Sequence, residues 1–249
     1  MTDIPVTIYP GEVFPDTKLF DTGIRQLLPY YDLMLDTLVA CVPSSACRLL
    51  DLGCGTKELS LKLLQHCPDA QLVAVDYSPR MIKMAKSKLE QAQFNHRVTF
   101  IEADFGAWAN GEMREEIGTN FDGCVSSLAI HHLSNEMKQQ LLSCIRRNLA
   151  NGGCFWNADP ILQESSQLQE IYLSLREQWT INQGTTVTEV RSKMGNSEPQ
   201  GYSGQDRLAT LDDHLTMLKS AGFITVAVPW RFLGLAIFGG WVKSQQVNR

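Results

Sequence analysis

The sequence predicts an α/β fold in which a doubly wound, mostly parallel sheet of seven strands ends in an antiparallel C-terminal hairpin. Two observations lead to this fold class. Between residues 48 and 157, short buried strand patterns alternate with amphipathic helix patterns, and a helix between two strands is the connection that parallel pairing requires. After residue 222, two alternating apolar and polar runs follow each other directly, as the strands of a hairpin do.

The individual elements follow from hydrophobic periodicity and from the turn residues at their ends. Strand patterns lie at residues 48–52, 71–75, 97–101 and 121–127, at 154–157 where a fifth strand begins, and at 223–230 and 232–243. Helix patterns lie at residues 20–42, 58–67, 78–91, 136–150, 164–178 and 211–221. Doubly wound sheets bind ligands at the carboxyl ends of their strands, so functional residues are expected at that edge.

The chain is expected to form a single domain over residues 1–249, since this length suffices for one sizeable core. Residues 1–46 are expected to form an N-terminal helical cap. Residues 161–207 begin with a glutamine-rich helix pattern and continue as a stretch rich in glycine, serine and threonine. We expect this insertion to cover the substrate.

Composition narrows the classes of function. A formal net charge of -5 disfavours direct nucleic-acid binding, which needs clustered cations, so a small molecule is the expected partner. The seven cysteines form no C-x-x-C pair, and neither a metal site nor a disulfide framework is indicated. The sequence starts without a signal segment and has no apolar run long enough to span a bilayer, so we expect a cytoplasmic protein without membrane association.

A glycine-bearing turn after the first strand indicates a cofactor loop. The segment Asp51-Leu52-Gly53-Cys54-Gly55 joins this strand to a helix, and glycines let the backbone turn sharply and approach a ligand closely. Taken alone, such glycines are equally compatible with a plain turn. Asp76 ends the second strand, where a carboxylate can accept both hydroxyl protons of a ribose. Asp104 follows the third strand and can accept from an adenine amine.

Four segments in succession resemble the motifs of class I S-adenosylmethionine-dependent methyltransferases: DLGCGTKELS, VAVDYSPRMIKMAKSKL, VTFIEADF, and FDGCVSSLAIHHL followed by LANGGCFWNAD. They cover residues 48–160, and they imply a Rossmann-like fold, an enzyme, and S-adenosyl-L-methionine as its cofactor. The resemblance places Gly53 and Gly55 beneath the methionine portion and Asp76 at the ribose. It also implies that Asp104 and Phe105 frame the adenine and that Asp51 orients the cofactor's ammonium group.

One residue departs from the motif, because Lys57 stands where the family usually carries a third glycine. The same residue, with Glu58, argues against a nicotinamide-dependent dehydrogenase, the main alternative for this fold, whose loop needs small residues there. The candidate cofactor-binding residues are Arg25, Tyr31, Asp51, Gly53, Cys54, Gly55, Asp76, Tyr77, Met81, Ala103, Asp104, Phe105 and Ser127.

The two ends of the chain carry a narrower resemblance. EVFPDTKLFDTGIRQLLPYYDLML and LKSAGFITVAVPWRFLGLAIFGGW are similar to the terminal segments of the bacterial carboxy-S-adenosylmethionine synthase subgroup. This resemblance matches Tyr31, and more loosely Arg25, to residues near the methionine end of the cofactor. The alternative for both is a core aromatic and a surface cation. The subgroup implies an enzyme of tRNA wobble-uridine modification as an alternative function.

The chemistry expected is methyl transfer to a small-molecule acceptor. Exchange of the methyl for a carboxymethyl group would need a cation that holds a carboxylate, and only Arg191 and Arg207 are available in the matching region. His131 and His132 follow the fourth strand and are the candidate catalytic bases, although a loop histidine that caps the next helix fits equally well. A cofactor-binding protein without catalysis and a homodimer are kept as further alternatives.

Overall fold

A seven-stranded sheet organises the structure, a computed structural model that describes residues 6–243. Residues 1–5 of the expected N-terminal cap, and residues 244–249, lie outside the described part. The strands are β1 (Arg48–Leu52), β2 (Gln71–Asp76), β3 (Val98–Glu102), β4 (Phe121–Ser127), β5 (Leu149–Pro160), β6 (Ile224–Phe232) and β7 (Leu235–Trp241). Their order is β3-β2-β1-β4-β5-β7-β6, and the pairs from β3 to β5 are parallel whereas β7 is antiparallel to both neighbours. The predicted fold class is confirmed.

Ten α-helices connect and cover these strands within residues 6–243. They are α1 (Phe20–Leu27), α2 (Tyr31–Ala40), α3 (Glu58–His66), α4 (Pro79–Gln91), α5 (Phe105–Ala109), α6 (Arg114–Ile117), α7 (Asn135–Asn148), α8 (Ser166–Ile181), α9 (Val187–Arg191) and α10 (Leu211–Ser220). None of the helices in the described part of the chain is both long enough and apolar enough to cross a bilayer.

The N-terminal helix predicted for residues 20–42 is wrong in one respect, because the structure divides it in two. α1 ends at Leu27 and α2 begins at Tyr31. Pro29 lacks the backbone N–H that a continuous helix needs, and Tyr30 adopts a left-handed conformation with φ of 60°. The break turns α1 away from the sheet, towards α8 and α9.

Two further boundaries differ from the predictions. The helix expected to run to residue 150 ends at Asn148, and the glycines expected to stop it lie inside β5, which starts at Leu149. The stretch rich in glycine, serine and threonine contains α9, a helix that the sequence patterns did not include. A capping box explains this helix: the Thr186 hydroxyl accepts from Glu189 N, and the Glu189 carboxylate accepts from Thr186 N.

Apolar side chains cover both faces of the sheet. Along β1, Leu50 and Leu52 pack on the face covered by α5, α7 and α10, whereas Leu49 packs on the opposite face with α2 and α3. The same alternation sends Phe155 and Trp156 of β5 to opposite faces. The strand period of two therefore builds two hydrophobic layers, which hold the carboxyl ends of β1, β2 and β4 in fixed register.

Gly239 shows how tightly β7 packs against β5. A Cβ at this position would lie 2.0 Å from the carbonyl oxygen of Phe155 and 2.6 Å from the Trp156 ring. We expect Gly239→Ala to lower the free energy of unfolding by about 3 kcal/mol, since backbone cannot move aside as a flexible side chain can. Denaturant titration measures the loss. Gly204→Ala is the matched control, because its Cβ would meet only the Arg207 guanidinium at 3.6 Å. Equal stability of the two variants would show that β7 and β5 can accommodate a Cβ at residue 239.

Candidate functional site

A cleft opens where β1, β2 and β4 end, at the edge predicted for ligand binding. We call it the strand-end cleft. The space between its walls, part of it open to solvent, is about 710 Å³. Its lining residues are Pro10, Gly11, Glu12, Phe20, Tyr31, Gly53, Cys54, Gly55, Thr56, Glu58, Leu59, Asp76, Tyr77, Ser78, Met81, Phe105, Ser127, Leu128, Ala129, His132 and Ser203.

The loop after β1 needs its two glycines for different reasons. Both have positive φ, 73° at Gly53 and 51° at Gly55. A Cβ at Gly53 would lie 2.3 Å from the Cβ of Ala129, so this glycine lets the loop pack against the chain after β4. A Cβ at Gly55 would meet only open space, with the nearest atom 4.0 Å away, so this glycine leaves room in the cleft. Lys57 adopts φ of 90°, the conformation that the family's third glycine would take without strain.

Asp76 joins the loop to the end of β2. Its Oδ2 accepts from the N–H of Gly55 at 2.8 Å and its Oδ1 accepts from the N–H of Ser78 at 2.9 Å. Burial raises the pKa of this carboxyl to about 6, partly offset by those hydrogen bonds. Each oxygen accepts one of these bonds and retains a further lone pair, and Asp76 lines the cleft. The carboxylate can therefore still accept protons from a ligand's hydroxyl groups.

Asp51 lies beneath the loop and does not line the cleft. It is fully buried, and its Oδ2 accepts from the Ser60 hydroxyl at 2.6 Å. Burial raises its pKa to about 7. Its Oδ1 has no hydrogen-bond partner within residues 6–243. An unpartnered buried oxygen is costly, so Asp51 can accept a donor that reaches the cleft floor.

The two residues from the narrower resemblance occupy different places. Tyr31 is buried and lines the cleft. Arg25 does not line it: its guanidinium donates to Asp32 and to Glu58, the latter at 2.7 Å, and lies over the Tyr31 ring at 5.4 Å. Arg25 therefore orients Tyr31 and Glu58 from outside the cleft.

Of the candidate residues that follow β3, one also lines the cleft and another lies outside it. Phe105 lines the cleft, whereas Asp104 faces a neighbouring loop. The Asp104 carboxylate accepts from the N–H of Gly106 at 2.7 Å, which caps α5, and from the N–H of Tyr202 at 2.9 Å. The backbone N–H of Ala103 donates to the carbonyl oxygen of Asp76, and the side chain of Ala103 does not line the cleft. Of the candidate cofactor residues, the cleft brings together Tyr31, Gly53, Cys54, Gly55, Asp76, Tyr77, Met81, Phe105 and Ser127, and leaves out Arg25, Asp51, Ala103 and Asp104.

Several lining residues were missed by sequence reasoning, chiefly those that come from the N-terminal segment. Glu12 is buried, with Oε2 accepting from the N–H of Tyr9 at 3.0 Å and lying 3.3 Å from Arg80. Its Oε1 accepts from the Ser78 hydroxyl. The sequence offered one sign of Glu12, because it directly follows the turn residues Pro10 and Gly11. The position of Glu12 beside the end of β2 depends on the folded structure. The other lining residues missed are Pro10, Gly11, Phe20, Thr56, Glu58, Leu59, Ser78, Leu128, Ala129 and Ser203.

A second space, which we call the adjoining cavity, lies next to the strand-end cleft and encloses about 1100 Å³. Gly11, Phe20, Leu128 and His132 line both spaces, so the two lie side by side. The cavity walls come mainly from α1, from α8 and α9, and from the chain after β4 and β5.

The two predicted bases lie at this junction, in a 3-10 turn after β4. His131 is held by a buried relay: its Nδ1 lies 2.9 Å from Asp159 Oδ1, and Asp159 Oδ2 accepts from Asn157 at 2.9 Å. Burial alone would lower the pKa of His131, but the carboxylates of Asp159 and Asp206 outweigh it and raise the pKa above its usual value. The relay leaves Nε2 as the ring nitrogen that can face a ligand.

His132 differs in both environment and charge. Burial lowers its pKa, although Asp206 Oδ1 lies 3.2 Å from its Nδ1. Asp206 also lies 3.6 Å from Nε2 of His131. These three side chains have ligand atoms within 4.8 Å of one another, a grouping that could hold a metal ion and that the sequence did not indicate.

The charge of the strand-end cleft decides between the cofactors considered. Its ionised lining groups are Glu12, Glu58 and Asp76, and no arginine or lysine of the described chain lines it. Arg25 and Arg80 pair with Glu58 and Glu12 from outside the cleft, so a pyrophosphate would meet carboxylates on the lining itself, whereas S-adenosylmethionine carries a sulfonium and an ammonium group. The space left at Gly55 also suits that cofactor. The cleft therefore fits S-adenosylmethionine and not a nicotinamide dinucleotide.

Known proteins agree with this result. Residues 49–153 match the family model described as "Methyltransferase domain". The carboxy-S-adenosyl-L-methionine synthases of Campylobacter lari and Nautilia profundicola are each 24% identical to this chain, over 228 and 231 residues, and each alignment covers 89% of both proteins. The synthase of a Campylobacter jejuni strain is 26% identical over 214 residues, 83% of each chain.

Solved methyltransferases share the fold. An O-methyltransferase family protein from Burkholderia thailandensis superimposes with a TM-score of 0.67 at 14% identity, over 92% of this chain and 60% of that one. Human N-acetylserotonin methyltransferase in complex with S-adenosylmethionine gives 0.55 at 15% identity, over 92% and 59%. This chain thus spans about 60% of the length of these structures. Residues 49–153 thus match a methyltransferase domain, and together with the shared fold and the cleft they indicate an S-adenosylmethionine-dependent methyltransferase.

Proposed function

We propose that this enzyme transfers the methyl group of S-adenosylmethionine to a small molecule bound in the adjoining cavity. The shared lining of the two spaces carries the proposal, because a methyl donor in one and an acceptor in the other would meet beside Leu128 and His132. Methyl transfer from a sulfonium depends chiefly on alignment and on exclusion of water. Two adjacent binding spaces would supply the alignment.

The strand-end cleft would hold the cofactor through few residues. Asp76 would accept the ribose hydroxyl groups, and Phe105 with Met81 would enclose the adenine. Gly55 leaves space for the methionine portion, and Tyr31 faces it from the N-terminal side. Asp104 serves α5 and the loop at Tyr202, so we assign it to the wall behind the adenine and not to direct contact.

His131 and His132 are the proposed bases. The cofactor supplies an electrophilic methyl group. The acceptor's oxygen or nitrogen forms a bond to that carbon as the carbon–sulfur bond breaks, and sulfur keeps the electron pair. The acceptor's proton would pass to Nε2 of His131, or to His132 where the two spaces meet. Asp159 is a positioning residue, since it fixes the ring of His131 through Nδ1.

Residues 161–207 would form the cover of the acceptor within a single domain. α8 lies against α1, and the side chains of Arg176, Trp179 and Thr180 donate to the carbonyl oxygens of residues 25–27. These bonds satisfy the last carbonyl groups of α1, which have no partner inside the helix. We further propose a cytoplasmic location and no direct contact with nucleic acid, in keeping with the net charge of -5, and we retain a homodimer as a proposal.

Carboxy-S-adenosylmethionine synthesis is the second candidate, favoured by the names of the relatives. That product would place a carboxylate beside the sulfonium, where a cation should hold it. Neither of the two candidate arginines lines the strand-end cleft: Arg191 lines the adjoining cavity, and Arg207 lines neither space. The absence of a cation among the described cleft residues supports methyl transfer.

Mass spectrometry separates these two reactions. We expect incubation with S-adenosylmethionine and a metabolite extract to yield S-adenosylhomocysteine and an acceptor heavier by one methylene unit. The matched control omits the extract. Accumulation of a carboxylated sulfonium nucleoside would establish the second candidate instead.

Asp76 should make cofactor binding depend on pH. Because burial raises its pKa to about 6, the carboxylate that accepts ribose hydroxyls is lost as the pH falls through that value. We expect affinity, measured by calorimetry, to rise between pH 5 and 7 in the wild type. Asp76→Asn should bind about tenfold to a hundredfold more weakly at pH 7 and lose the dependence. Asp69→Asn, on the surface, is the control. An unchanged pH profile in Asp76→Asn would remove Asp76 from the site.

His131 should control turnover and not cofactor affinity. We expect His131→Gln to lower kcat about a hundredfold with an acceptor that must lose a proton. In the wild type, kcat should rise with pH as His131 deprotonates, and Asp159→Asn should move that rise to lower pH because the carboxylate raises the pKa of His131. His96→Gln, exposed and distant in the fold, is the control. Wild-type turnover in His131→Gln would assign the proton to another group.

A further inference from the structure

The adjoining cavity has a mainly apolar wall, which limits the acceptors it can take. α1 contributes Ile24 and Leu27, α8 contributes Tyr172 and Leu173, and Leu235 closes the space from β7. Burial of apolar surface favours a ligand at about 25 cal/mol per Å². An acceptor that fills this space therefore has an apolar body.

Two guanidinium groups interrupt that wall. Arg176 on α8 and Arg191 on α9 both line the cavity. Arg176 Nε donates to the carbonyl oxygen of Leu27 at 2.7 Å, which leaves its terminal nitrogens without a carboxylate. Within residues 6–243, neither arginine forms an ion pair, whereas Arg25 and Arg231 are both paired with acids.

The charges around these arginines are unbalanced. Asp206 is the one carboxylate among the described residues that line the cavity, and it contacts His131 and His132. Burial lowers the pKa of Arg176, and the nearby charge of Arg191 lowers it further, whereas the charge of Glu177 acts in the opposite direction. Arg176 is half-buried and Arg191 is exposed, so an anion bound between them would reduce the repulsion of two like charges, and guanidinium forks match a carboxylate in shape.

We infer that the acceptor is an organic acid with an apolar body, whose carboxylate binds Arg176 and Arg191 while its nucleophilic atom lies at His131 and His132. This inference rests on the proposed function for the identity of the ligand as acceptor. The arginines come from the cover and the histidines from the sheet edge, so the cavity binds the two ends of such a molecule from different walls.

A matched panel of hydroxylated aromatic and aliphatic carboxylic acids and their primary amides tests the inference. Binding is measured by calorimetry with S-adenosylhomocysteine present, and methyl transfer by mass spectrometry with S-adenosylmethionine. We expect acids of the panel to bind about tenfold to a hundredfold more tightly than their amides, and Arg191→Gln to abolish that preference. Arg191 makes no contact that folding requires within the described chain, so this variant should fold normally. Arg176→Lys keeps the charge and should retain part of the preference.

Arg147→Gln is the control, because it removes the same charge from an exposed position on α7 outside the cavity. It should leave the preference for acids unchanged. Equal binding of acids and amides by the wild type, binding of neither, or an undiminished preference in Arg191→Gln would overturn the inference. If amides are methylated as readily as acids, the proposed methyl transfer is supported and the inference that the acceptor is an acid is wrong. If acids bind selectively but no panel member is methylated, the anion site stands and the proposed reaction falls.

Discussion

The carboxylate of Asp76 is the interaction on which the strand-end cleft depends. It binds the N–H of Gly55 on one side and that of Ser78 on the other, and so ties the loop and the start of α4 to the end of β2. A buried carboxylate is costly unless its lone pairs are used, and a loop with two glycines at positive φ is costly to order. The loop therefore offsets the cost of burying the carboxylate, and the carboxylate offsets the cost of ordering the loop. The cleft is preorganised because the same bonds satisfy the acid and restrain the loop.

The two spaces differ in the charged side chains that line them. Acidic groups line the strand-end cleft, whereas arginines of α8 and α9 line the adjoining cavity. A cationic donor and an acidic acceptor would each be disfavoured in the space of the other, since a misplaced charge would face its own sign. His132 lies where the fields meet, and burial holds its pKa low. The charged lining groups would therefore favour the donor in the strand-end cleft and the acceptor in the adjoining cavity, in addition to any difference in shape.

Much of this architecture is encoded locally and could be predicted. The period of two along β1, the glycines after it and the acid at the end of β2 depend on neighbouring residues, and the parallel sheet then places Asp76 beside Gly55. The contact between His131 and Asp159 spans 28 residues and arises only because β4 and β5 pair. Sequence spacing carries no signal for such a contact, so the relay was not predicted.

The adjoining cavity was beyond prediction for the same reason. It exists because the chain breaks at Pro29 and turns α1 towards α8, and no local pattern specifies that direction. Arg25 shows a second limit. A matching segment suggested a cofactor ligand, but it carried no sign that Asp32 and Glu58 accept from the guanidinium of Arg25 in the folded chain.

The bonds from α8 to the end of α1 link events in the two spaces. Phe20 of α1 lines both, and three side chains of α8 hold the final carbonyl groups of that helix. If the cover opens, these bonds break or α1 moves with it, and both spaces change together. The first ligand to bind would order α1 and lose the conformational entropy of that step. The second ligand would then bind to an α1 that is already ordered, without this loss. Donor and acceptor would thus bind with positive cooperativity, through a helix that neither needs to displace.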